Sequence, residues 1–225
     1  LTSFVVVWLS ARAWTQTTAA GPDLIVTNVT APKIGGANGA ISVSVTSKNQ
    51  GTSSAGTFRL GLYFSTDSTV TTGDTFAGRC TFGSLAANAS STCAGSLGVP
   101  NLSPGTYFFG AIIDDLLQVT EGDETNNARV ADSGTIVLTN TPPTAFNKST
   151  PSNGATSQST SPTLSWGASS GVGSYEYCFD TTNDNNCTNW TPNGTSTSAS
   201  LSGLVGTTTY YWQVRANNPI GTSYA

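Results

Sequence analysis

The stretch ISVSVT at residues 41–46 decides the fold class. Its β-branched residues Ile41, Val43 and Val45 alternate with small hydroxyl side chains. A period of two puts every second side chain on one face, so the stretch predicts a strand with one buried and one wet face. Similar short runs, separated by turn residues, lie at residues 24–29, 58–64, 76–82, 90–97, 106–113 and 134–138. This spacing predicts an all-β protein.

The composition narrows the range of functions. The 225 residues are enough for two small domains, each with its own core. Charged residues are only 9%, the net charge is −4, and lysine and arginine are scattered singly. This pattern argues against nucleic-acid binding and against an anionic membrane surface. Histidine is absent, which excludes a histidine-dependent hydrolase triad and removes the commonest general base.

The four cysteines form two close pairs, Cys80 with Cys93 and Cys178 with Cys187. No CxxC motif occurs, and zinc sites usually need closer spacing with histidine or more thiols. Two local disulfides in an oxidising compartment are the preferred interpretation, with free buried thiols as the alternative. Residues 76–82 and 90–97 flank a turn, so we expect the first pair to link the two arms of a hairpin.

The N-terminal residues 1–20 have two interpretations. Residues 4–9 are apolar, and Ala11-Arg12-Ala13 follows as an A-x-A pattern. Residues 1–13 therefore read as the remnant of a secretory signal. They also have strong strand propensity and could form an extra strand. The apolar run is too short for a membrane span, so we expect no membrane insertion.

Five motifs in residues 21–140 carry a family resemblance. They are PDLIV at 22–26, NQG at 49–51, LYxSTD at 62–67, LxPGTY at 102–107 and VxExxExNN at 119–127. Taken in this order, they resemble CARDB, the bacterial cell-adhesion-related domain. The resemblance implies a seven-stranded immunoglobulin-like sandwich of secreted or surface proteins.

An acidic segment near the end of this module is a candidate metal site. Glu121, Asp123 and Glu124 supply the hard oxygen ligands that calcium prefers, although their spacing is not that of a helix–loop–helix calcium site. The alternative is a turn whose side chains satisfy backbone amides. We prefer the turn and expect at most weak calcium binding and no other cofactor. A small sandwich rarely provides the cleft that paired catalytic carboxylates need, so we expect no enzyme activity.

Residues 141–225 form a second module after a stiff double-proline linker, Pro142-Pro143. Its motifs LSW at 164–166, YEYCFD at 175–180, LxGL at 201–204 and TYYWQVRA at 209–216 resemble the bacterial fibronectin type III family. The resemblance implies that Trp166 lies in the core and that Leu204 and Tyr210 form a tyrosine corner. The alternation leaves Tyr211 and Trp190 partly exposed. We expect this module to lack its last strand, because the turn at residues 217–221 leaves few residues after it.

The sequence thus predicts two tandem immunoglobulin-like β-sandwiches, the second lacking its last strand. The leading interpretation is a non-catalytic extracellular scaffold or adhesion segment of a larger bacterial surface or secreted protein. The alternatives are an accessory carbohydrate- or matrix-binding module of a secreted hydrolase, and a fibre subunit that uses strand addition at an open sheet edge beside residues 210–214. The expected partner is an extracellular protein, a polysaccharide or a second copy of the chain.

Overall fold

The computed structural model describes residues 21–184 and 187–225 and is all-β, as the sequence predicts. The prediction for residues 4–9 lies outside the described part. Two large hydrophobic clusters form among the described residues, one from residues 24–138 and one from residues 146–216, and a small third cluster of Tyr63, Val70 and Ile112 lies in the first module. The chain passes from one set of sheets to the other between Thr139 and Lys148. The domain boundary at residue 140 remains a prediction.

Eight strands form two facing sheets in the described part of the first module. One sheet has the order β1-β3-β6 and the other β2-β8-β7-β4-β5. The strands are β1 (Leu24–Thr30), β2 (Ile34–Gly36), β3 (Ala40–Asn49), β4 (Phe58–Ser65), β5 (Thr75–Phe82), β6 (Ser90–Gly98), β7 (Gly105–Ile113) and β8 (Ala128–Thr139). The resemblance implied seven strands. The additional short strand β2 pairs in parallel with the end of β8.

The alternating pattern of β3 determines which face meets the core. Ile41, Val43 and Val45 are buried, while Ser42 and Ser44 face outward. β4 and β7, in the middle of the opposite sheet, contribute the fully buried Phe58 and Phe109. The core therefore lies between the two sheets, where apolar side chains from both meet.

The expected hairpin around residues 86–89 is wrong. β5 pairs with β4 in one sheet, and β6 pairs with β3 in the other, so the two strands do not pair with each other. The chain passes from one sheet to the other between β5 and β6, and in this segment Leu85 forms an isolated bridge with Ala55. Two consecutive strands with a turn between them fit a hairpin and a sheet-to-sheet crossing equally well.

The second module also consists of two sheets. β9 (Lys148–Thr150), β10 (Thr163–Trp166) and β13 (Ser198–Ser200) form one sheet, in the order β13-β10-β9. The other sheet has the order β12-β11-β14-β15. Its strands are β11 (Ser174–Asp180), β12 (Thr191–Pro192), β14 (Tyr211–Asn218) and β15 (Gly221–Tyr224).

The prediction that this sandwich lacks its last strand is wrong, because Gly221–Tyr224 forms β15 against β14. The sequence pattern assigns residues 217–221 to the turn, whereas Asn218 and Gly221 are already paired and only two residues lie between them. Asn218 Oδ1 accepts hydrogen bonds from the backbone of Ile220 and Gly221 and so closes this tight turn. β15 pairs with residues 215–218 of β14, and Ala225 donates to the carbonyl of Val214, so residues 211–213 of the predicted open edge have no strand partner on this side among the described residues.

Candidate functional site

The predicted disulfides are both present in the structure. Cys80 bonds Cys93 with their Cα atoms 6.5 Å apart, and Cys178 bonds Cys187 with a Cα separation of 6.2 Å. Because Cys80 lies on β5 and Cys93 on β6, the first bond joins the edges of the two facing sheets rather than two arms of a hairpin. The second bond fastens the segment after β11 to that strand.

Glu121, Asp123 and Glu124 lie in the connection between β7 and β8, as predicted, and all three act as hydrogen-bond acceptors. Glu121 accepts from the backbone N–H of Leu24 at the start of β1. Glu124 accepts from the backbone N–H of Glu121 at 3.1 Å. Asp123 accepts from the backbone and hydroxyl of Thr125 at 2.9 and 2.6 Å. These contacts hold the turn together and fasten it to the first strand.

Asn127 is the buried centre of this turn. Its amide nitrogen lies 3.3 Å from one carboxylate oxygen of Glu121 and 3.3 Å from one of Glu124. Its side-chain oxygen, Oδ1, is buried with no hydrogen-bond partner among the described residues. Within residues 21–184 and 187–225, no group of three or more Cys, Asp or Glu side chains is placed to hold a metal ion. The weak calcium interaction remains a prediction.

Glu121 has the most perturbed carboxyl group of the turn. Its pKa is raised from an ordinary 4.5 to about 7, mainly by burial and also by the charges of Glu124 and Asp114, while the hydrogen bonds from Leu24 and Asn127 lower it. The exposed Asp123 behaves in the opposite way, because its hydrogen bonds from Thr125 lower its pKa. A raised carboxyl pKa can mark a proton-transfer group, but Glu121 is occupied in holding the backbone of β1.

Asp115, just after β7, belongs to a separate cluster of buried polar side chains. Its carboxylate is fully buried and forms a bidentate pair with Arg59, at 2.7 and 2.6 Å. It also accepts a hydrogen bond from the Tyr63 hydroxyl at 2.5 Å. Burial, followed by this hydrogen bond, raises the pKa of Tyr63 to about 12. Asp115, Arg59 and Tyr63 together hold β4 to the end of β7, so the Arg59–Asp115 ion pair has a structural role.

Sequence reasoning missed this ion pair, and Gly61 is the signal that could have revealed it. Gly61 lies between Arg59 and Tyr63 on β4, where glycine weakens a strand and marks a close approach. A Cβ atom at this position would overlap the Asp115 carboxylate and lie 2.6 Å from Tyr63 Cε2. The glycine therefore makes room for the buried carboxylate.

The aromatic residues of the second module lie where the sequence places them. Trp166 is buried in the core, and Leu204 packs against the same cluster. The Tyr210 hydroxyl accepts a hydrogen bond from the backbone of Val205 at 3.1 Å, which forms the expected corner. Tyr211 is 39% exposed and Trp190 is partly exposed, also as expected.

The comparisons with known proteins support a CARDB domain in the first module, since the CARDB family model matches residues 21–131. No curated protein matches the chain. No helix long and apolar enough to cross a membrane occurs in the part of the chain that the structure describes.

Several solved structures are similar to part of the chain. One is the crystal structure of a CARDB domain from Pyrococcus furiosus in complex with di-metal ions, which is 21% identical over 54% of this chain and 92% of that one, with a TM-score of 0.42. The solution structure of that domain is 23% identical over 53% of this chain and 96% of that one, with a TM-score of 0.40. A mutant β-glucosidase from Listeria innocua in complex with laminaribiose is 14% identical over 52% of this chain and 16% of the enzyme, with a TM-score of 0.36.

Proposed function

We propose that this chain is a non-catalytic, extracellular spacer of a larger bacterial surface or secreted protein, built from a CARDB domain and a fibronectin type III-like domain held in a fixed orientation. The observation that carries the proposal is the close packing at the junction between the two sandwiches. A scaffold whose role is to project or space other domains needs such a junction, because a loose linker would leave its ends free to approach each other.

The junction is tightly packed on both sides. A Cβ atom on Gly173 of the second module would lie only 2.9 Å from Ile34 Cγ2 of β2. On the other side, a Cβ atom on Gly36 of β2 would lie 3.2 Å from Ile220 Cδ1, in the β14–β15 turn. The two glycines allow the modules to approach each other this closely. The additional strand β2 of the first module thus has a role in domain contact.

The linker is fastened along its length. The Asn218 amide donates to the carbonyl of Thr141 at 2.9 Å, and the Ser223 hydroxyl donates to that of Pro143 at 2.6 Å. The backbone N–H of Thr144 donates to the carbonyl of Ser170 at 3.0 Å. Two consecutive prolines restrict the same segment. These bonds connect the linker to the second module, and Ala37 donates to the carbonyl of Thr139 on the side of the first module.

The sheet order of the second module supports its assignment as a fibronectin type III-like domain. A three-stranded sheet β13-β10-β9 faces a four-stranded sheet β12-β11-β14-β15. The core tryptophan and the tyrosine corner occupy the positions that the resemblance implies. The two disulfides support an oxidising, extracellular location.

Distance measurements between the far ends of the two modules test the spacer proposal. We would attach spin labels through unnatural amino acids at Ala86 and Val205, both exposed and distant from the junction, and record the distribution of distances by pulsed electron resonance. We expect one narrow distribution for the unmodified chain. Gly173→Val should broaden it, because the added side chain would displace Ile34.

Gly167→Val is the matched control, since a Cβ atom at Gly167 meets only the backbone of Asn147, at 3.8 Å or more, and so has room. This variant should keep the narrow distribution. A broad distribution in the unmodified chain would contradict the spacer function.

A further inference from the structure

The outer face of the four-stranded sheet in the second module carries aromatic and polar side chains together. Pairing of β11, β14 and β15 aligns Glu176, Arg215 and Tyr224 across three neighbouring strands. These side chains point away from the core, because Tyr175 and Ala216, their neighbours in sequence, are fully buried. Trp190 lies over the same row, with its ring 4.2 Å from the Arg215 guanidinium carbon.

The two aromatic rings pack edge to face. The ring centroids of Trp190 and Tyr224 are 6.1 Å apart, and the ring planes meet at 61°. Tyr224 is 56% exposed, so most of its ring is available to a ligand. A large exposed aromatic side chain beside a second ring is typical of surfaces that bind partners.

The polar groups below these rings are held in place by one another. Glu176 Oε2 accepts from Arg215 Nε at 2.7 Å and from the Asn217 amide at 2.9 Å. The Thr222 hydroxyl donates to Asn217 Oδ1 at 2.7 Å. The charges of Glu176 and Arg215 cancel, so this group offers donors and acceptors without a net charge.

The disulfide helps to fix Trp190 over the row. Trp190 follows Cys187 by three residues, and Cys187 is bonded to Cys178 on β11. Directly after Trp190, β12 pairs with Glu176 and Tyr177 of β11. The indole is therefore held on both sides in sequence, and little conformational freedom would be lost when a ligand binds.

From this arrangement we propose that the outer face of the β12-β11-β14-β15 sheet binds a neutral polysaccharide with a flat, extended chain. Pyranose rings have apolar C–H faces that pack on aromatic rings and hydroxyl groups that need both donors and acceptors. Tyr224 and Trp190 supply the rings, while Glu176, Arg215 and Asn217 supply the polar groups. An uncharged site is complementary to a neutral glycan, and an open sheet face suits a flat, extended chain. This binding site is separate from the junction that supports the spacer function.

Affinity electrophoresis with three neutral probes tests the proposal: xylan, glucomannan and hydroxyethyl cellulose. We expect at least one of them to retard the unmodified chain. Tyr224→Ala should weaken that binding about ten-fold, because it removes the exposed ring. Tyr224→Phe should keep the affinity within about a factor of two, since the ring remains.

Leu117→Ala is the control for removal of an exposed apolar side chain elsewhere, because Leu117 is 73% exposed in the first module. It should leave the mobility unchanged. Circular dichroism of each variant would establish that it is folded. The proposal is overturned if none of the three polysaccharides retards the folded chain, or if Tyr224→Ala binds as tightly as the unmodified protein.

Discussion

Glu121 is a single residue that links the start and the end of the first sandwich. Its carboxyl group accepts from the backbone N–H of Leu24 and contacts the buried amide of Asn127. Because Leu24 begins β1 and Asn127 directly precedes β8, these bonds join distant parts of the chain. The ExxExNN portion of the CARDB resemblance, which begins at Glu121, thus has a physical role in closing the fold.

The raised pKa of Glu121 predicts a pH-dependent stability. The folded protein holds this proton up to about pH 7, whereas the unfolded chain releases it near 4.5. The folded state therefore binds more protons between these values, and the free energy of unfolding should decrease as the pH rises from 4.5 to 7. Glu121→Gln should flatten this dependence, as seen in thermal melts from pH 4.5 to 8.

Asp123→Asn is the control for this measurement, because the pKa of Asp123 is lowered and lies below the window. It should leave the slope unchanged. Equal slopes in Glu121→Gln and the unmodified protein would show that Glu121 does not titrate in this range.

Gly61 permits the buried ion pair of Asp115, so a single added methyl group should be costly. In Gly61→Ala the new Cβ would overlap the Asp115 carboxylate and weaken its bonds to Arg59 and Tyr63. Disrupting a buried charge pair costs about 3 kcal/mol, to be measured by urea unfolding. Gly83→Ala, with no atom within 4 Å of the added Cβ, should cost far less. Similar losses in both variants would refute this explanation.

At the scale of strands, the sequence predicted where the strands lie better than which strands pair with each other. The alternation of residues 41–46 fixes both the existence of β3 and the face that it buries. Partners depend on long-range geometry, which local patterns do not contain, and so β5 and β6 were expected to pair with each other. Residues 222–225 were expected only to begin a strand, and β15 is nevertheless formed because Asn218 closes its turn with only two intervening residues, which composition alone does not show.

In the candidate site, too, features that depend on neighbouring residues were predicted, whereas features that depend on residues distant in sequence were not. The turn at residues 121–127 and the exposure of Trp190 and Tyr211 followed from local patterns. The pairing of Asp115 with Arg59, 56 residues away, and the row of Glu176, Arg215 and Tyr224 depend on strand register. Register is set by packing and turn geometry across the whole sheet, so the sequence could not supply it.

The turn that contains Glu121, Asp123 and Glu124 should respond little to calcium. Its carboxylates already accept hydrogen bonds from Leu24, Thr125 and the turn backbone, and a cation would have to displace several of them. We expect the melting temperature to shift by less than about 2 °C at millimolar calcium. A large increase that is abolished by Glu124→Gln would show that this turn is a real calcium site.

At the scale of the whole molecule, self-association depends on the edge of β14. β15 covers residues 215–218, and Ala225 donates to the carbonyl of Val214, so among the described residues only 211–213 of the predicted edge remain uncovered, a short length for a strand from another copy to pair with. We therefore expect deletion of residues 1–13 to leave the mass unchanged in light scattering, with a monomer before and after. A dimer or polymer that disappears on deletion would instead support strand addition by residues 4–9.

The central claim is that the two sandwiches form one fixed spacer. Backbone ¹⁵N relaxation of the intact chain tests it most directly, because each module reports its own rotational correlation time. Packing of Ile34 against Gly173 and of Gly36 against Ile220, together with the fastened linker, predicts that both modules tumble together with a single correlation time appropriate to 23.0 kDa. Two shorter and different correlation times, each appropriate to a single sandwich, would contradict the account.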